Sequence, residues 1–183
     1  MGERLEMGLD MYLYTNSKEL AGKLKKDEGI VDYAKRQGCI AYWRKANHIH
    51  KWFVDNAQDG IDNCDLHEVT IEMLEDLKKA CDKVLDSCPL VEGEVCVGMT
   101  YQGDATWKKD MAKGRVLSNP HIAAEVLPTT DGFFFGSTDY DEYYYYDTKY
   151  TRDRLEEVLS LIEGDHMVGE PDWVLTFTYR SSW

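Results

Sequence analysis

The 183-residue sequence predicts an α/β protein of the α+β kind. The expectation is one compact domain over residues 1–183. A small mixed or antiparallel sheet includes both terminal strands, and about three main helices cover it. Three observations carry this. Residues 9–15 and 173–180 alternate apolar and polar side chains with the period of a half-buried strand. Residues 40–57, 70–87 and 139–162 repeat apolar groups at helical spacing. The helices follow the strands irregularly, with no internal repeat and no low-complexity linker, which favours mixed or antiparallel pairing over strict βαβ alternation.

In chain order, Leu9, Met11 and Leu13 point one way from the first strand and Asp10, Tyr12 and Tyr14 the other. Ser17 is placed to cap a polar helix over 18–26. Gly29 and Gly38 bracket a turn or short helix at 30–37. The helix expected at 40–57 sorts into faces. Tyr42, Ala46, Ile49 and Phe53 make a buried stripe. Arg44, His48, Lys51 and Asp55 make a second, and Trp43, Asn47, His50 and Val54 lie between. Gln58-Asp59-Gly60 ends it as turn chemistry. Residues 59–65 hold three acids but lack the order and closing Glu of a calcium loop, so they read as a connection.

Thr70 caps the helix expected at 70–87, with Glu72 and Glu75 near its positive end. Ile71, Leu74, Cys81 and Leu85 form its buried stripe, widened by Leu77 and Val84, and Cys88-Pro89 stops it. A strand is expected at 94–101. Residues 102–117 are polar, hold two glycines and lack a clean period, so they read as a long loop or flap. Asn119-Pro120 opens a short helix through Leu127. Residues 133–135 read as a short buried strand, and Ser137 or Thr138 caps a helix at 139–162. Tyr144, Thr148, Thr151, Leu155, Val158 and Ile162 are its core stripe. After a loop at 164–172, Trp173, Leu175, Phe177 and Tyr179 face the buried side of the last strand.

The net charge of −13 argues against direct contact with nucleic acid, because phosphates need Lys and Arg. An acidic surface can also imitate a phosphate backbone toward a protein partner. Cys39, Cys64, Cys81, Cys88 and Cys96 form no CxxC pair and match no zinc-site spacing, which fits reduced, buried thiols and a cytoplasmic setting. No run of about 18 apolar residues appears, so no membrane partner is expected. No metal and no cofactor are expected.

Inside this acidic chain, residues 41–56 gather cations, imidazoles, amides and indoles. Arg44, His48 and Lys51 can meet an anion, Trp43 and the tyrosines can stack on a base, Asn47 and Asn56 can read base edges, and His50 lies on the stripe of Trp43 and Asn47. At the start of the last helix, Ser137, Thr138, Asp139, Tyr140 and Asp141 form a second group. The helix N-terminus there can hold a phosphate, whereas the acids repel an anion but accept hydrogen bonds from hydroxyls or amines. Trp43, Arg44, Asn47, His48, His50 and Lys51 together with Ser137–Asp141 are the candidate ligand-binding set. His48, His50, Asp139 and Asp141 are the candidate acid–base groups, yet no HExxH, Walker, GxSxG or dinucleotide fingerprint occurs. No catalytic residue is therefore assigned, and the reading leans away from an enzyme.

The blocks MGLDMYLY, AYWRKANHIHKWFVDN and GFFFGSTDYDEYYYYD resemble a widespread family of small phage and prophage proteins. Residues 98–117 look like an elaboration on it. The resemblance implies a phage accessory protein in the host cytoplasm that interferes with host processes, immunity included. Three functions are carried forward. The first is binding of a small nucleotide-like anion, sequestering a host immune signal. The second is an acidic protein–protein inhibitor of a host defence protein. The third is a nucleotide-processing hydrolase. Homo-oligomerisation is left open.

Overall fold

A computed structural model of the protein describes residues 8–164 and 175–183. Its elements run β1 (Asp10–Thr15), α1 (Lys18–Lys23), α2 (Asp32–Arg36), β2 (Cys39–Arg44), α3 (Asn47–Ala57) and β3 (His67–Val69). They continue with α4 (Ile71–Ser87), β4 (Leu90–Gly103), β5 (Thr106–Leu117), α5 (Pro120–Val126), α6 (Glu142–Gly164) and β6 (Phe177–Ser182). A four-stranded antiparallel sheet has the order β2-β1-β6-β3, so the two terminal strands are neighbours, as expected. Strands β4 and β5 form a separate two-stranded ribbon.

The alternation of β1 holds: Leu9, Met11 and Leu13 are fully buried. Phe177 and Tyr179 of β6 continue that face, and Trp43 of β2 joins it. Ile49 and Phe53 of α3, Leu74, Leu77, Cys81 and Val84 of α4, and Leu155, Val158 and Ile162 of α6 close the core over it. Phe53 stacks on Tyr179 with ring centroids 4.0 Å apart. All six residues of the expected α6 stripe are buried, together with Arg154. In α4 the most buried stripe is Leu74, Leu77, Cys81 and Val84, while Ile71 and Leu85 sit at its margin. Thr70 caps α4 by accepting from the Met73 N–H, and Ser17 caps α1 by accepting from the Leu20 N–H. A smaller cluster of Ile30, Ala34 and Cys39 packs with Tyr12, Tyr14 and Tyr42.

Five expectations are corrected. Residues 40–57 are not one helix: they split into β2 and α3, with Lys45 at the break in the left-handed region (φ 62°). The helical spacing is real from Ala46 onward, and Tyr42 fell on it by accident. Residues 40–43 are β-prone and aromatic, and pairing to β1 decides their state. Residues 102–117 are not a loop, because β4 and β5 pair along most of their length. Asp104 and Ala105 both have positive φ (48° and 59°), the geometry of a two-residue hairpin turn. Residues 133–135 form no strand. Phe134 sits at φ 63° in a turn, Phe133 is 79% exposed, and of the three only Phe135 enters the core. Helix α6 also begins at Glu142 instead of 139. Its cap is Asp141, whose Oδ1 accepts from the N–H groups of Tyr143 and Tyr144, and not Ser137 or Thr138. The loop expected at 164–172, like Trp173 of the last strand, lies almost wholly outside the described residues.

Candidate functional site

The switch from helix to strand at residues 39–44 redistributes the candidate residues. On β2, Trp43 and Arg44 point to opposite faces. Trp43 enters the core, where its Nε1 donates to Thr151 Oγ1 at 2.8 Å and its ring meets Phe53 and Tyr150. It is therefore unable to stack on a ligand. Arg44 faces outward and pairs with Asp10 at 3.2 Å. The chain then turns at Lys45 and enters α3, whose start no side chain caps among the described residues.

The start of α3 and the start of α6 converge on one cleft of about 280 Å³. Arg44, Lys45, Asn47 and His48 line one side, and Ser137, Asp139, Asp141, Tyr143 and Asp147 the other. Six of the eleven candidates thus share one cavity although about 90 residues separate the two groups. Gly136 permits the close approach. It sits at φ 93°, and a Cβ there would lie 3.0 Å from Lys45 Cβ.

Asn47 is the fastener between the two sides. Its Nδ2 donates to the carbonyls of Phe135 (3.2 Å) and Ser137 (2.8 Å), and its Oδ1 accepts from the Thr130 N–H (3.2 Å). With both amide atoms engaged, Asn47 shapes the wall and has little left to offer a ligand. His48 is buried and stacks on Tyr144 at 4.0 Å. Thr148 gives its hydroxyl hydrogen to the Tyr144 carbonyl, so the His48 Nε2–H donates to Thr148 Oγ1 (3.1 Å). Burial pushes the imidazole down to about 3, so it stays neutral.

The remaining candidates fall away. His50 is fully buried, with Nε2 against Asp62 Oδ1 (3.1 Å) and Nδ1 accepting from the Tyr179 hydroxyl (2.8 Å). Burial lowers its pKa, and Asp62 pulls the other way. Lys51 pairs with Asp55 one turn along α3 at 2.8 Å. Thr138 and Tyr140 turn toward the ribbon, where they line a neighbouring cleft with Lys109 and Met111.

Sequence reasoning missed Lys45, Tyr143 and Asp147. Lys45 looked like a helix interior. Tyr143 and Asp147 share one edge of α6 at i, i+4, beside the core stripe of Tyr144 and Thr148, and that spacing was the available signal.

The electrostatics of the cleft are divided. Arg44 and Lys45 carry positive charge at the uncapped start of α3, where the helix dipole adds to them. Opposite them stand three carboxyls. Asp147 is pushed up to about 7, first by burial and then by the charge of Asp141. Asp141 is also raised, because burial outweighs the N–H bonds it accepts from Tyr144 and Tyr143. Asp139 is paired with Lys109 at 3.6 Å. Such a cleft suits a ligand with an anionic end and a hydroxyl- or amine-rich end. Among the described residues, no group of three or more His, Cys, Asp and Glu is placed to hold a metal ion, and no helix is long and apolar enough to cross a membrane. No family model, curated protein or solved structure matches the chain.

Proposed function

We propose that the protein binds a small nucleotide-like ligand in the α3–α6 cleft and holds it without turning it over. The observation that carries this reading is the divided lining, with Arg44 and Lys45 at one end and Asp141 and Asp147 at the other. A phosphate is matched by the two cations and the helix start. Ribose hydroxyls or an exocyclic amine are matched by the carboxyls. Tyr143, 74% exposed beside the cleft, offers a ring face to a base. A carboxyl whose proton is held to near neutral pH is more common at functional sites than elsewhere.

Non-catalytic binding is favoured over hydrolysis. Burial keeps His48 neutral, and among the described residues no hydroxyl or thiol lining the cleft is paired with a base. Together with the family resemblance, this makes sequestration of a host nucleotide signal the most concrete role. Calorimetry with linear and cyclic adenine nucleotides tests it. Wild type binds at least one of them, and Arg44→Ala and Lys45→Ala each weaken it about tenfold, the value of one charge-assisted contact. Absence of binding across the panel overturns the reading. Turnover of a bound nucleotide replaces it with the hydrolase.

A further inference from the structure

A second cleft, of about 330 Å³, opens where residues 24–30 cross the edge strand β2 and α6. It shares no lining residue with the α3–α6 cleft. Its charge is opposite to that of the chain as a whole. Lys25, Lys26, Lys35 and Arg154 line it against one carboxylate, Asp27. Leu24, Ile30 and Ile40 give it an apolar floor.

Arg154 and Asp27 build this cleft. Arg154 is 7% exposed. Its Nη2 donates to Asp27 Oδ2 (3.2 Å), and its Nη1 to the Lys25 carbonyl and Glu157 Oε2 (3.1 Å each). The Tyr150 hydroxyl also donates to Asp27, and the Lys25 N–H to Glu157 Oε1 at 2.7 Å. This buried network fixes the backbone at 25–27 against α6 and neutralises the one acid in the lining. Among the described residues, Lys35 has only a distant, exposed partner in Asp32 at 3.9 Å.

Lys25 and Lys26 make no ion pair among the described residues. The chain holds 34 acids to 21 Lys and Arg, so carboxylate partners are abundant. Two adjacent cations without one, at the rim of an apolar pocket with a rigid backbone, match an external anion. Lys is an effective point-charge binder of phosphate, and the floor needs an apolar body above it. Cys39 lies in the floor, but burial pushes its thiol up to about 12, so it supplies no nucleophile.

We propose that this cleft is a second binding site, for a small organic phosphate, with the phosphate on Lys25 and Lys26 and the less polar body on Leu24, Ile30 and Ile40. The site is independent of the reading given to the α3–α6 cleft and survives its failure.

The test is calorimetry with inorganic phosphate and phenyl phosphate, with chloride at matched ionic strength as control. It is run on wild type, K25Q/K26Q and R44Q/K45Q. Phenyl phosphate binds wild type more tightly than inorganic phosphate does. K25Q/K26Q weakens both about tenfold or more, and R44Q/K45Q leaves this site's affinity unchanged. Both lysines are exposed, so the double variant melts like wild type. Should it melt lower, K26Q alone gives the same comparison and leaves residue 25, whose backbone N–H bonds Glu157 Oε1, unchanged. Wild-type-like binding by the lysine variants overturns the site, as do equal effects of chloride or no binding at all. Equal affinity for the two phosphates overturns the role of the apolar floor.

Discussion

Replacing Asp147 by Asn tests whether the carboxyl wall of the α3–α6 cleft costs stability. The folded chain holds this carboxyl up at about 7, whereas an unfolded Asp titrates near 3.9. Below about pH 4 both states are protonated and the group is neutral with respect to folding. Between about pH 4 and 7 the folded state binds the extra proton, so stability falls as pH rises. Above about pH 7 the penalty is complete. A shift of this size corresponds to about 4 kcal/mol, and water reaching the half-buried carboxyl brings it toward about 2 kcal/mol. Asn keeps the shape of the protonated acid and removes the charge. Urea unfolding should therefore show Asp147→Asn more stable than wild type by about 2–4 kcal/mol at pH 8, shrinking to about 1 kcal/mol at pH 5. An equal gain at both pH values, or a loss at pH 8, refutes the reasoning.

Three other substitutions separate the core from the site. Phe53→Ala removes a fully buried ring stacked on Tyr179 and should cost about 3–5 kcal/mol, read by chemical denaturation. Asn47→Ala should cost about 2–4 kcal/mol, since it strands the Thr130 N–H and the Phe135 and Ser137 carbonyls. It should also weaken ligand binding by loosening residues 130–137, which calorimetry would show. Gln58 is 2% exposed, and neither side-chain polar atom has a hydrogen-bond partner among the described residues. Gln58→Met should therefore raise stability by about 1–2 kcal/mol in a thermal melt, and a lower melting temperature would show that the amide is satisfied.

The framework was legible where one period ran uninterrupted. The α6 stripe from Tyr144 to Ile162 and the alternation of β1 were read residue by residue, because each element has one buried face and one solvated face. Reading failed where two elements abut without punctuation. No Gly or Pro separates β2 from α3, and Lys45 turns the chain in a left-handed conformation that its residue type does not announce. The ribbon escaped for the same reason, since Asp104-Ala105 lacks the glycine that marks most tight hairpins. These errors carried into the site. Read as a helix, residues 41–56 set Trp43, His50 and Lys51 beside Arg44. As strand and helix they send Trp43 and His50 into the core and leave Lys51 with Asp55. Side-chain chemistry predicts one pocket for Arg44, Asn47, His48 and Lys51 with Ser137–Asp141; the cleft holds Arg44, Asn47, His48, Ser137, Asp139 and Asp141 and leaves out Lys51, Thr138 and Tyr140. That Asn47 spends its amide on the opposite wall depends on tertiary contacts about 90 residues away, which no local pattern encodes.

The central claim is that the α3–α6 cleft receives a nucleotide. Amide chemical-shift mapping during titration with adenosine monophosphate tests it most directly. The account predicts saturable shifts concentrated at Lys45–His48, Ser137–Asp141 and Asp147, lost in Arg44→Ala/Lys45→Ala. Shifts confined to the β4–β5 ribbon, or unchanged spectra at saturating nucleotide, would contradict it.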